Sequence, residues 1–317
     1  MSELRFGDLG YGAANVGNLY RAVSDDEAFE ILEASWDCGI RYFDTAPHYG
    51  LGLSERRLGA FLATKPRDEY LVSTKVGRLL RPNPGGASRL DDENDFAVLA
   101  NLRRVWDFTE AGVRQSLTES LERLALDRVD VLYLHDPEEH DLQQALATGV
   151  PAVVALREEG LVSAVGVGSK STEALLAGVR TGALDLIMVA GRYTLVEQPV
   201  LDDVVPECRT RGVEIVNAAV FNSGLLASPT PRGDARYEYR AVPSEVLARA
   251  QEIAAVCAEY GVELPAAALQ YTLRDPVVRT IVVGGAKPEQ VRQNAERMQA
   301  PIPEELWQRL QREGLVR

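Results

Sequence analysis

The chain has 317 residues, 46% of them hydrophobic and 26% charged, which gives ample material for a core and excludes a disordered tail or a small stapled scaffold. Lys plus Arg is 34 against 47 for Asp plus Glu, and a net charge of −13 would be repelled by a phosphate backbone or an anionic bilayer, so neither nucleic acid nor membrane is an expected partner. Cys38, Cys208 and Cys257 are scattered, no basic leader opens the chain, and no run nears the roughly 20 apolar residues of a membrane span, so a reducing cytoplasm is the expected location.

In chain order, short runs rich in β-branched residues fall at 11–16, 40–46, 70–76, 129–135, 162–168, 184–190, 213–220 and 279–285. Segments of helical period lie between them, notably 25–38, 109–124, 143–158, 172–180 and 246–259. Ser24 with Glu27 forms a capping box for the first of these, and Gly39 stops it. Strand and helix alternate without a change of composition, which predicts an α/β fold: one closed (β/α)8 TIM barrel forming a single domain over 1–317. The competing open doubly wound sheet would want GxGxxG after its first strand, and GYGAANVG lacks that spacing. Residues 77–107 and 226–244, after the third and seventh strands, are too long for plain linkers and are expected to rise from the C-terminal face of the barrel. The tail from Pro303 to Arg312 reads as one more amphipathic helix packed outside.

Three strands end in residues that can do proton chemistry. The second runs into FDTAPHYG with Asp44 and Tyr49, the third into STKVG with Lys75, and the fourth into YLHDP with His135. Singly, each reads more readily as a solvated charge at a strand end. Together, on consecutive strands at the face where barrels carry their sites, they form a candidate centre. His48 adjoins Tyr49 and is either a pocket residue or a turn histidine, whereas His140, within DPEEHD, reads as a surface residue. No HExxH or other spaced ligand cluster is present, so no metal site is expected.

These segments, with GYGAANVGN near the start and GGAKPEQVRQNAE near the end, resemble the aldo-keto reductases over almost the whole chain. The resemblance implies a catalytic tetrad of Asp44, Tyr49, Lys75 and His135. A tyrosine needs to lose about three pKa units, roughly 4 kcal/mol, to act near neutrality. A cation about 4 Å away at an effective dielectric near 20 supplies on the order of 4 kcal/mol, which desolvation of both groups erodes. Lys75 would supply that charge, Asp44 would hold Lys75, and His135 would position the substrate oxygen.

The resemblance also implies a nicotinamide cofactor laid across the barrel mouth. Asn222, Ser223, Gly224 and Leu225 would flank its pyrophosphate, with Gly284, Gly285 and the helix start at Lys287 and Pro288 close by, while Gln290 and Asn294 would meet the adenosine end. Ser169 would stand near the nicotinamide amide. Where many members have Ser-Asn after strand five, Gln after strand six and a stacking Tyr on strand seven, this chain has Gly168-Ser169, Ala190 and Ala218. Few basic residues follow strand eight, which points to NAD with NADP tolerated. His48, Trp106 and Arg192 are the candidate substrate contacts.

AGRYT and VFNSG resemble the branch that oxidises aldoses, including L-fucose and D-threo-aldose 1-dehydrogenases and a pyridoxal dehydrogenase. The expected reaction is hydride transfer from an aldose at C1 to give a lactone. The alternatives are an NADPH-dependent reductase of aldehydes and ketones, a pyridoxal dehydrogenase, and a cofactor-sensing binding protein of the same fold. The expected partner is a small sugar or aldehyde.

Overall fold

The structure is a computed structural model and describes residues 4–238 and 240–317. Eight parallel strands close into a barrel: β1 (Leu9–Gly12), β2 (Tyr42–Asp44), β3 (Leu71–Val76), β4 (Val131–His135), β5 (Ala164–Ser169), β6 (Leu186–Ala190), β7 (Glu214–Ala218) and β8 (Val278–Val283). Hydrogen bonds run in the order β1-β8-β7-β6-β5-β4-β3-β2 and back to β1, with helices outside, which is the expected (β/α)8 barrel. None of the described helices is long and apolar enough to cross a membrane.

The first strand is displaced from its expected span of 11–16. Ladder pairing ends at Gly12 opposite Asp44, and Ala13 N–H donates to Asp44 O as the chain turns into a 3-10 turn at Asn15–Gly17. Ala13 and Val16 are fully buried in that turn, so their apolar character marked core and not strand. The helix expected over 143–158 is a short turn at Leu142–Gln144, a π-type turn at Ala145–Gly149 and an α-helix at Val150–Glu158. Pro151 has no N–H to donate back to the preceding turn, which fits the change of winding there.

The two long connections are partly ordered. After β3, Arg78–Pro82 pairs antiparallel with Leu102–Trp106, and Leu90–Asp91 pairs with Phe96–Leu99. After β7 come a turn at Asn222–Gly224 and a small ladder between Arg236–Tyr237 and Arg240–Ala241. The tail forms the expected outer helix at Glu304–Arg312, burying Leu306, Trp307 and Leu310.

Side chains alternate inward and outward along each strand. The outward set packs against the helices in the main core, while Tyr42, Val131, Tyr133, Leu186, Met188, Val216 and Val282 fill the barrel interior. Two residues further along each strand the next inward layer begins, and it differs in kind: Asp44, Lys75 and His135 on one side, Gly12, Gly168, Ala190 and Ala218 on the other.

The strand carrying Lys75 is fixed from outside. Glu55, on the helix Leu53–Leu62, is fully buried and accepts hydrogen bonds from Thr74 Oγ1 (2.7 Å) and Arg123 Nε (2.6 Å). Removing one partner of a buried ion pair strands the other charge and costs about 3–5 kcal/mol. Glu55→Ala is therefore expected to lower unfolding stability by about that amount in urea titration. A loss under ~1 kcal/mol would show that the pair is solvated and of surface strength.

Candidate active site

Lys75 is 2% exposed, and its ammonium commits each of its N–H donors to one acceptor: Asp44 Oδ2 at 2.6 Å, Thr45 O at 2.9 Å and the Tyr49 hydroxyl at 3.2 Å. Asp44 in turn accepts from Ser73 Oγ at 2.7 Å through its other oxygen. Burial works against the Lys75 ammonium, but Asp44 and Tyr49 outweigh it and its pKa is raised, so it is charged at neutral pH.

Tyr49 sits on the turn after β2, and glycine makes that turn possible. Gly50 has φ +61°, and a Cβ there would lie 2.1 Å from Gly17 O. Burial pushes the Tyr49 phenol above its ordinary pKa and outweighs the opposing Lys75 charge. Desolvation, expected to erode the effect of Lys75, is the larger of the two in the free protein.

His135 ends β4 with its ring centroid 6.0 Å from that of Tyr49. Burial, then Arg78 and Lys75, hold its pKa well below the imidazole range, so the ring is neutral. His48 is held low in the same way, by burial and then Arg78 and Arg104. A neutral imidazole can donate one hydrogen bond to an oxygen placed beside it.

These groups form one end of a cavity of about 530 Å³. From Asp44, Tyr49, Lys75 and His135 it passes over Gly168, Ser169, Ala190 and Ala218, then Ser223 and Gly224, and reaches Gly284, Gly285, Gln290, Gln293, Asn294 and Arg297. The structure thus brings the four candidate catalytic residues together and places seven of the ten cofactor candidates on the same wall. The other three stand back from it. Leu225 is buried, Lys287 is exposed at the helix start, and Asn222 Nδ2 lies 3.4 Å from Glu197.

The three substrate candidates lie behind the lining. His48 Nδ1 is 3.0 Å from Arg78 Nη1, Trp106 stacks on His140 with its ring 4.3 Å from the Arg78 guanidinium, and Arg192 pairs with Glu197 and Glu238. Sequence reasoning missed Asp136, Gly12 and Asn15, which do line the cavity. The period-two pattern of the strands marks Gly12, two residues beyond the inward Gly10, whereas Asp136 and Asn15 carry no such signal.

A profile of the Aldo/keto reductase family matches residues 8–313. The chain is 60% identical over 309 residues to a D-threo-aldose 1-dehydrogenase from Pseudomonas sp., covering 97% of this chain and 94% of that one. It is 37% identical over 323 residues to pyridoxal 4-dehydrogenase from Microbacterium luteolum, covering 97% and 94%. Among solved structures, an aldo-keto reductase from Bacillus halodurans in its holo form superposes with a TM-score of 0.77 at 24% identity, covering 100% of this chain and 94% of that one.

The neutral histidines make stability depend on pH. Unfolded, His48 and His135 titrate near 6.5, so below that pH the unfolded chain binds protons that the folded protein refuses, and stability falls as pH drops. Each contributes a slope of up to about 1.4 kcal/mol per pH unit. Urea midpoints between about pH 6.5 and 5 are expected to show this fall. His135→Asn and His48→Asn should each flatten it, and unchanged slopes in both would mean that the imidazoles ionise in the folded state.

Proposed function

The chain belongs to the aldo/keto reductase family of oxidoreductases, and we propose that it oxidises an aldose at C1 to a lactone with NAD, using Asp44, Tyr49, Lys75 and His135 as its catalytic residues. The observation that carries this reading is the Lys75 ammonium, shared between Asp44 and the Tyr49 hydroxyl on the wall of a cavity of about 530 Å³.

The wall fits a nicotinamide cofactor. Gly168, Ala190 and Ala218 leave space for a flat ring beside Tyr49, and added side chains would take that space. Asn294 is 8% exposed, faces the cavity and has no hydrogen-bond partner among the described residues, as a group awaiting a polar ligand would. A Cβ on Gly284 would lie 2.4 Å from Asn15 Oδ1, so the Asn15 side chain would have to move to admit one. A nicotinamide held there would supply the hydride acceptor.

The residues handle the remaining proton. His135 donates a hydrogen bond to the anomeric oxygen and holds the sugar against Tyr49. Tyr49, as phenolate beside the Lys75 charge, takes the hydroxyl proton while the C1–H bond breaks, and the C1–O bond becomes the lactone carbonyl. Asp44 keeps Lys75 charged and oriented. Because oxidation uses the phenolate, and burial raises the pKa of Tyr49, turnover in this direction rises with pH through the alkaline range.

NAD is favoured over NADP by the adenosine end. Arg297 is the one basic residue lining it among the described residues, and its Nε is 3.0 Å from Glu263 Oε2. A 2′-phosphate would have to share that guanidinium with Glu263. The three cysteines are free thiols, which suits a reducing compartment such as the cytoplasm.

Tyr49→Phe keeps the ring and removes the transferable proton. Turnover is expected to fall by roughly 10² or more with cofactor affinity retained, and near-normal turnover would remove Tyr49 from the mechanism. A panel of aldoses, pyridoxal and simple aldehydes, each with both cofactors, tests the substrate. Oxidation of L-fucose or a stereochemical relative with NAD is expected, and exclusive reduction of aldehydes with NADPH would replace this reading. In the same panel NAD should bind more tightly than NADP, and tenfold tighter NADP binding, about 1.4 kcal/mol, would overturn the cofactor assignment.

A further inference from the structure

Asp136 follows His135 directly and has no part in the proton chemistry described above. It lines the cavity beside the tetrad and keeps its side chain 25% exposed there, although the groups around it are buried. Its backbone is left-handed, with φ +43°, and is fixed by a hydrogen bond from its own N–H to Gly168 O at 2.8 Å. Aspartate tolerates that conformation better than most residues.

The two carboxylate oxygens are not equivalent. Oδ2 pairs with Arg78 Nη2 and lies 3.4 Å from His135 Nε2, whereas Oδ1 has no hydrogen-bond partner among the described residues. Arg78 reaches Oδ2 through Nη2, gives Nη1 to His48 and lies against the face of Trp106. The result is a charge-neutralised carboxylate with one open acceptor, one residue away from the imidazole that faces the reacting oxygen.

We propose that Asp136 is a substrate-recognition residue whose Oδ1 accepts a hydrogen bond from the hydroxyl on the carbon next to the reacting carbon, selecting polyhydroxylated substrates. The inference rests on the aldose reading above. Placement selects the hydroxyl: an oxygen bonded to His135 Nε2 sets its vicinal neighbour over the Asp136 carboxylate, given the 3.4 Å between those two groups. A substrate without that hydroxyl would desolvate Oδ1 and offer nothing in return. Arg78 balances the charge, so the carboxylate selects a hydroxyl donor without an unpaired negative charge facing the sugar.

The test compares L-fucose with 2-deoxy-L-fucose in the wild type, Asp136→Asn and Asp136→Ala, following NAD reduction at saturating cofactor, with thermal unfolding as a check on folding. Hydrogen bonds to charged groups are worth about 1.5–3 kcal/mol, so the wild type should favour L-fucose by roughly 10-fold or more in kcat/KM. Asparagine keeps the shape and the tolerance of a left-handed backbone but turns its oxygen to Arg78 and presents an amide N–H₂ to the cavity. Both variants should bring the preference to within about threefold of unity, with the loss on L-fucose and mainly in KM. A merely structural role through Arg78 would lower both sugars equally and leave the preference intact, which would overturn the proposal. If Asp136→Ala does not fold, Asp136→Asn gives the same reading. If the wild type oxidises neither sugar, the aldose reading falls and this inference with it; if it oxidises both and the preference survives in the variants, this inference alone falls.

Discussion

A lysine ammonium in the interior of a barrel costs several kcal/mol unless every N–H finds an acceptor and a counter-charge stands beside it. Lys75 meets both conditions through Asp44, Thr45 and Tyr49, and the layer beneath is built to keep it so. Ser73 donates to Asp44, the Tyr42 hydroxyl lies 2.9 Å from Ser73 Oγ, and the Tyr133 hydroxyl lies 3.3 Å from that of Tyr42. Where many barrels place branched aliphatic residues, this one runs a polar chain through its centre. Burial raises the pKa of Tyr42 and of Tyr133, so both remain neutral phenols.

The second constraint is size. Inward positions around the barrel mouth divide between the proton-handling residues and a crescent of glycine and alanine, and the cavity is the volume those small residues leave unfilled. Below it the strands leave no room for a side chain at Gly166, where a Cβ would lie 2.2 Å from Leu186 O. A site held to within a fraction of an ångström by strand ends is more precise than one carried on loops.

The hairpin after β3 extends that precision to Tyr49, the one member of the proposed tetrad that is on a loop. Arg104, on its return strand, pairs with Asp91 and donates to His48 O at 2.7 Å, which ties the turn bearing His48 and Tyr49 to the excursion. Arg78, on its outgoing strand, ties His48 to Asp136. The charged residues of this segment hold the wall together, and their donors are largely spent on protein acceptors.

Alternation of β-branched runs with helical periods determined the barrel, because those periods follow from local backbone geometry and each strand carries its own. Asp44, Lys75 and His135 were legible for the same reason, being the last or next-to-last residues of consecutive strands. The start of the chain was not, since the buried Ala13 and Val16 belong to a turn and apolar residues look alike in either setting. His48, Trp106 and Arg192 were plausible pocket residues by type, yet they pack behind the lining, and Asp136 was overlooked although it faces the cavity. Which way a side chain points from a loop depends on partners that are distant in sequence. Arg78 joins His48, Trp106 and Asp136 only because the barrel closes, and the net pKa of Tyr49 follows from how completely that closure removes water.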